Sequence, residues 1–349
     1  MCASWTAGLS AGHVTKRKTK LSRGGPHGSP FWRFSPARFA FALDFEKADA
    51  REPGTAATLV TVEWINPWLD RRVLHYAHQG GAREAPSSTL FALRRAIGLG
   101  ADALELDVHQ TADGVLVVCH DSTVNQTTNK TGAIAEMTFA ELRILDNAFW
   151  WTEQLTEDQH ADHHANHDAY VLRGKFPSNA EFGIASLDEV LTEFTSTFIN
   201  FDIKETSPKV RGYERDLADT LRRYGRASDV IVASFHDVAL ERFRAYAPEI
   251  HTSLGPTQTL ESAGLLWEGK QIPKGLPGQV AFQIPMRFDG ALVVTPELVS
   301  AAHGAGLAVH VWTIDDPADM RELLACGVDG IMTDCPSVLA EALRTHTKS

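Results

Sequence analysis

The stretch VLHYAHQGGAREAPSSTLFALRRAIGLGADALELDV, residues 73–108, reads as a strand, a helix and a second strand. VLHYAH (73–78) and ALELDV (103–108) are short, mostly apolar runs of strand length. Between them, STLFALRRAIGLG (88–100) opens on hydroxyl residues suited to cap a helix and closes on a glycine suited to end one. The same texture recurs toward the carboxyl end. Strand candidates are FINFDIK (198–204), VIVASF (230–235), HTSLG (251–255), VAFQIP (280–285), AVHVWTI (308–314) and GIMT (330–333). Helical patterns lie between them: SLDEVLTEFTS (186–196), YERDLADTLRRYG (213–225), DVALERFRAYA (237–247), TPELVSAAHGAG (295–306) and PADMRELLACG (317–327). Strands alternating with amphipathic helices build a parallel sheet, and eight strands suggest that it closes as a (β/α)8 TIM barrel, with an open doubly wound sheet as runner-up. Chemistry is then expected at the carboxyl ends of the strands.

Two regions interrupt the repeat. Asp113-Gly114 reads as a turn, making VLVVCHD (115–121) the return strand of a hairpin at the barrel mouth. Residues 121–183 are too many for an ordinary βα connection and form an inserted loop, a candidate lid. The barrel is expected over 70–349, after a largely irregular amino-terminal extension over 1–69. Residues 1–40 hold seven Lys or Arg and no acid, which leaves 26 basic against 44 acidic residues and a net charge of −18 for the remainder. Such a body repels nucleic acid and needs a cation or a local basic pocket to hold an anionic substrate. The basic extension could make a weak contact with an anionic membrane surface. No apolar run approaches the roughly 18 residues of a membrane span. KRKTK (16–20) is followed by LSRGGPHGSP rather than an apolar segment, so an export signal is not indicated and a cytoplasmic location is expected. The four cysteines show no metal-binding or disulfide spacing.

On a strand, residues two apart share a face, so Glu105 and Asp107 project together, as do Asp202 and Lys204. Carboxylates in a barrel strand buried on both sides need a partner charge. An oxygen donor set favours a hard divalent ion, Ca2+ or Mg2+, although the pattern alone also fits a salt-bridge network without metal. His78 and His120 end strands beside these acids, where imidazoles can exchange protons with a reacting group. The run HADHHANHD (160–168) places His160/His164 and His163/His167 at i, i+4, a zinc or copper pattern if helical and otherwise a solvated polar loop.

HQGG (78–81), APSST (85–89), GADALELDVHQTADGVLVVCHD (100–121), Thr127-Thr128, FDIKE (201–205), Ser234-Phe235, VWTID (311–315) and GVDGIMTDCP (327–336) together resemble the glycerophosphodiester phosphodiesterase family. The resemblance implies a metal-bearing barrel that hydrolyses glycerophosphodiesters to sn-glycerol 3-phosphate and an alcohol. It implies Glu105, Asp107 and Asp202 as metal ligands, His78 and His120 as the acid–base pair, with His78 read as base and His120 as acid, and Lys204 as a phosphate contact. Trp312 resembles a position lining the glycerol side. The sequence departs from the family pattern at Gln79, where the family has Arg, in PSST (86–89) where it has PENT, and at Asp202, where Glu is common. Gln79 is retained as a substrate contact, and Arg83 or Lys130 could supply the missing cation. The rival readings are a phospholipase acting on intact or lyso-phospholipid headgroups, which an apolar rim at the mouth would favour, and a catalytically silent phosphoester-binding barrel.

Overall fold

The computed structural model describes residues 66–69, 72–153, 170–176, 178–275 and 277–346, so residues 1–65 and the His-rich run 160–168 lie outside the described residues. The strands are β1 (Leu74–His78), β2 (Ala103–Gln110), β3 (Leu116–Val118), β4 (Phe198–Ile203), β5 (Val230–Ala233) and β6 (His251–Ser253). They continue as β7 (Gln279–Pro285), β8 (Arg287–Phe288), β9 (Ala291–Leu292), β10 (Ala308–Trp312) and β11 (Gly330–Thr333). The helices are α1 (Leu90–Gly98), α2 (Phe139–Arg143), α3 (Leu187–Glu193), α4 (Glu214–Arg223) and α5 (Asp237–Tyr246), then α6 (Pro256–Trp267), α7 (Pro296–Gly304), α8 (Pro317–Cys326) and α9 (Pro336–His346).

Strands β1, β2, β4, β5, β6, β7, β10 and β11 pair in that order, all parallel, and β11 returns to β1. This is the closed eight-stranded barrel expected from the sequence. The expected hairpin is also present: β3 runs antiparallel to β2, with Val108 opposite Val118. Local chemistry explains the helix starts. The Thr89 hydroxyl accepts from Ala92 N, Ser186 and Glu189 cap each other reciprocally, and Asp316 accepts from Ala318 N and Asp319 N ahead of Pro317.

Alternation along β2 divides its side chains between two environments. Leu104, Leu106 and Val108 join the apolar layer under the helices, together with Leu93, Ala96 and Phe201. Glu105 and Asp107 therefore take the opposite, axial face, and both are buried. The lower end of the barrel is filled by Trp68, whose ring meets Phe198 edge-on at 5.5 Å and whose indole N–H donates to His251 Nδ1 (3.0 Å). Asn66 donates to Val280 O (2.6 Å) and Gly306 O (2.9 Å). Residues 66–69 thus close the barrel floor, ahead of the start at residue 70 read from the sequence. The described part of the 121–183 insertion is packed around Val124, Ile134, Leu142, Leu145 and Ile184, against Val117 and Cys119. Among the described residues no helix is long and apolar enough to cross a membrane.

His310 lies wholly inside the barrel, its ring 5.2 Å from that of Tyr76 and close against the Cα of Gly330, where a Cβ would come within 2.8 Å of it. Burial lowers its pKa from 6.5 to about 3. The unfolded chain therefore binds a proton at this side chain below pH 6.5 that the native barrel refuses until about pH 3, and stability falls as pH drops through that window. At pH 5 this one group should remove about 2 kcal/mol relative to pH 7.5. Urea unfolding at the two pH values should show the loss, and His310→Leu should diminish it. An identical pH dependence in wild type and variant would refute the assignment.

Candidate active site

Register brings the acidic residues together. Asp107 pairs with Asp202 across β2 and β4, and His78 pairs with Glu105 across β1 and β2. Lys204, just beyond β4, places its ammonium 3.0 Å from Asp107 Oδ1 and 3.3 Å from Asp202 Oδ2. Each carboxylate keeps one buried oxygen without a hydrogen-bond partner: Glu105 Oε2, Asp107 Oδ2 and Asp202 Oδ1. These three carboxylates, with Asp334 as a fourth behind His78, face the Lys204 ammonium and the His78 imidazole, so negative charge is in excess. The strain appears in their protonation. Burial and the neighbouring Asp107 push Glu105 up to about 8, and burial raises Asp202 despite Lys204. Burial acts the same way on Asp107, but Lys204 and the imidazoles of His120 and His78 outweigh it and hold that carboxyl below its ordinary range. Among the described residues, no three His, Cys, Asp or Glu side chains already stand as a metal cage. The chemistry of the donor set nevertheless fits a hard cation. It consists of oxygen ligands only, each with a free lone pair, in a pocket short of positive charge.

The two imidazoles stand beside this cluster. The rings of His78 and His120 are 6.5 Å apart, edge to face, and His78 Nε2 is 3.6 Å from Glu105 Oε2. Each ring is held from behind by a carboxylate, His78 Nδ1 by Asp334 Oδ1 (2.7 Å) and His120 Nδ1 by Asp121 Oδ1 (2.8 Å). Burial favours the neutral form of His78, but Asp334, Glu105 and Asp107 outweigh it and raise its pKa to about 10. The hairpin that carries His120 is tied down by His109, whose Nε2 lies 3.3 Å from His120 O.

Gln79, read from the sequence as a substrate contact, lies with its amide against His78 Nε2 (3.2 Å). The amide can donate to the neutral ring or, turned over, accept from the imidazolium. The residue sits in the left-handed region (φ 53°), held by Gln79 N donating to Glu105 O (2.9 Å) and Ser88 N donating to Gln79 O (2.8 Å). Arg83 does not take over the family arginine's place in the cluster; its guanidinium pairs with Asp315 (3.3 Å). Lys130 is exposed on the insertion. Trp312 ends β10 with Phe235 edge-on at 5.7 Å, and Phe235 in turn lies 6.0 Å from the Lys204 ammonium.

The sequence reading did not assign Asp334, Asp121, His109 or Phe235. Asp121 and Asp334 fall within quoted motifs, HD and TDCP, yet Asp334 is 256 residues from the ring it orients. Only the closure of β11 on β1 makes them neighbours.

Residues 78–338 match the model of the glycerophosphoryl diester phosphodiesterase family. The chain belongs to that family. This phosphodiesterase is 30% identical over 277 residues to the glycerophosphodiester phosphodiesterase of Caldanaerobacter subterraneus subsp. tengcongensis, covering 78% of this chain and 98% of the relative. It is 30% identical over 265 residues to the glycerophosphodiester phosphodiesterase of Bacillus altitudinis, covering 75% and 94%. Among solved structures it resembles a glycerophosphodiester phosphodiesterase from Agrobacterium tumefaciens, with a TM-score of 0.57, 26% identity and coverage of 77% of this chain and 99% of that one. The phosphodiesterase is thus an enzyme of the phosphoric diester hydrolase class, built on a TIM barrel.

Proposed function

We propose that this enzyme hydrolyses glycerophosphodiesters to sn-glycerol 3-phosphate and an alcohol, using a divalent cation, Ca2+ or Mg2+, and the His78–His120 pair. The observation that carries this reading is the meeting of three buried carboxylate oxygens that accept no hydrogen bond, from Glu105, Asp107 and Asp202, beside two imidazoles 6.5 Å apart. Those three carboxylates would hold the cation, which supplies charge neutralisation for the phosphodiester anion and its transition state when bound.

The remaining work belongs to the chain. Lys204 offers a second positive contact for a phosphate oxygen, while Asp107 and Asp202 fix its position. One imidazole removes the proton of the nucleophile, water or a substrate hydroxyl, and the other protonates the departing alkoxide. Asp334 and Asp121 keep the two rings in place for these transfers. Gln79 acts through His78 by restraining the ring, and Trp312 with Phe235 gives the glycerol an apolar wall.

The test is a coupled assay of glycerol 3-phosphate released from glycerophosphocholine. Release is expected with Ca2+ or Mg2+ and is lost on chelation with EDTA. A purified protein that binds glycerophosphocholine but releases nothing with either ion would show a silent binder instead.

A further inference from the structure

A hydrogen bond crosses the inside of the barrel beside the carboxylates. Gln283 Nε2 on β7 donates to Asn200 Oδ1 on β4 (2.7 Å), although β5 and β6 stand between those strands in the sheet. Both side chains turn to the axis, because Ile199, Phe201, Phe282 and Ile284 occupy the layers under the helices. Asn200 pairs in register with Glu105 and precedes Asp202 by two residues, so the bond lies at the floor of the proposed cation site. The intervening strands add little bulk there. Alternation turns Ala233, in register with Asp202, and Ser253 toward the axis, since Val232 and Leu254 face the helices. One step nearer the mouth, Phe235 meets Trp312 edge-on at 5.7 Å, and Trp312 follows His310, the register partner of Gln283, by two residues. Asn200 is almost sealed, at 2% exposed, whereas Gln283 is only partly buried. From inside a closed barrel that exposure is toward the mouth. Small side chains, two aromatic rings and an amide pair thus bound a recess beside Lys204, whose ammonium is 6.0 Å from the Phe235 ring.

With one N–H committed to Asn200, the Gln283 amide keeps a second N–H and its oxygen, and it makes no other hydrogen bond among the described residues. A hydroxyl group, donor and acceptor at once, complements that pair. We propose that Gln283 is a specificity-determining residue that hydrogen-bonds the terminal hydroxyl of the substrate's glycerol, so that the enzyme selects diesters carrying that hydroxyl over diesters without it. This rests on the hydrolase reading above. Two observations favour this occupant. Ala233, Ser253, Asn200 and Gln283 carry no charge, which suits a neutral hydroxyl better than a charged headgroup. The amide pair also lies one residue layer below Asp202, so with phosphate at Lys204 it is met by a group that the carbon chain carries away from phosphorus.

The experiment measures choline release by the full chain with Ca2+ or Mg2+, from glycerophosphocholine and from 2-hydroxypropyl phosphocholine, which lacks only the terminal hydroxyl and keeps the one nearer phosphorus. Wild type is expected to favour glycerophosphocholine in kcat/KM by on the order of a hundredfold, because without the hydroxyl the amide goes unpaired. Gln283→Met keeps the length of the side chain without its polar end and should bring that ratio to within about threefold. Gln283→Glu keeps an accepting oxygen while Asn200 turns its amide to donate; its added charge slows both diesters alike, and the preference should persist. A merely structural role would lower both substrates equally in Gln283→Met and leave the ratio intact, which overturns the inference, as does a preference lost in both variants. A wild-type enzyme that cleaves the two diesters equally overturns the hydroxyl site and leaves the hydrolase reading standing. Failure to release choline from either diester overturns the hydrolase reading and this inference with it.

Discussion

Asp202→Asn should lower turnover of glycerophosphocholine by on the order of a thousandfold while leaving the barrel folded. The amide is close in shape to the carboxylate, and its oxygen can still accept from Lys204, which lies 3.3 Å from Asp202 Oδ2. The charge is what disappears. In the cation-free enzyme Glu105, Asp107, Asp202 and Asp334 outnumber the Lys204 ammonium and the His78 imidazolium, so removing a negative charge relieves repulsion with Asp107, the register partner of Asp202. The variant without metal should therefore melt no lower than wild type. The two proteins should differ when the ion is added. A ligand at 100 times its Kd stabilises the native state by about 2.7 kcal/mol, and Asp202→Asn should forfeit most of that gain. Thermal melting with and without Ca2+ or Mg2+ reads this independently of activity. Equal turnover and an equal ion-induced shift in both proteins would remove Asp202 from the cation site.

The reasoning behind that prediction separates what the sequence made legible from what it did not. ALELDV and FINFDIK announce their strands and, through spacing of two, the shared faces of Glu105 with Asp107 and of Asp202 with Lys204, because a pleated strand leaves no other choice. All eight barrel strands were legible for the same reason. α6 and α9 escaped the reading: α6 carries a glycine, Gly264, within its span, and α9 begins inside the TDCP motif. Asn66 and Trp68 belong to a segment too short to show any period, and only the barrel floor explains their burial. The partners of the two imidazoles were hidden for a topological reason. Nothing local in TDCP says that Asp334 will meet His78, since that contact exists only once the last strand closes on the first. The β8–β9 hairpin is different, because its Asp289-Gly290 turn was present to be read.

The second large effect concerns the imidazoles. His78→Ala and His120→Ala should each reduce kcat on glycerophosphocholine by about 10²- to 10⁴-fold, the range typical of a lost proton-transfer group. Since the two rings are 6.5 Å apart and carried by separate elements, neither can assume the other's position without moving the strand or hairpin that carries it. Asp334 stands behind one ring and Asp121 behind the other, and the carboxylates that hold a proton on His78 in the cation-free chain are the ones a bound cation would neutralise, so these contacts do not distinguish acid from base. Leaving-group chemistry does. A p-nitrophenyl diester of glycerol phosphate departs as a stable phenolate and needs no proton, whereas choline leaves as an alkoxide that does. The variant lacking the general acid should regain most of its rate on the p-nitrophenyl substrate, and the variant lacking the general base should remain impaired on both substrates. With His78 as base and His120 as acid, rescue is expected for His120→Ala. Rescue of His78→Ala instead would reverse the roles, and near-normal turnover of choline diesters in both variants would remove the histidine pair from the mechanism.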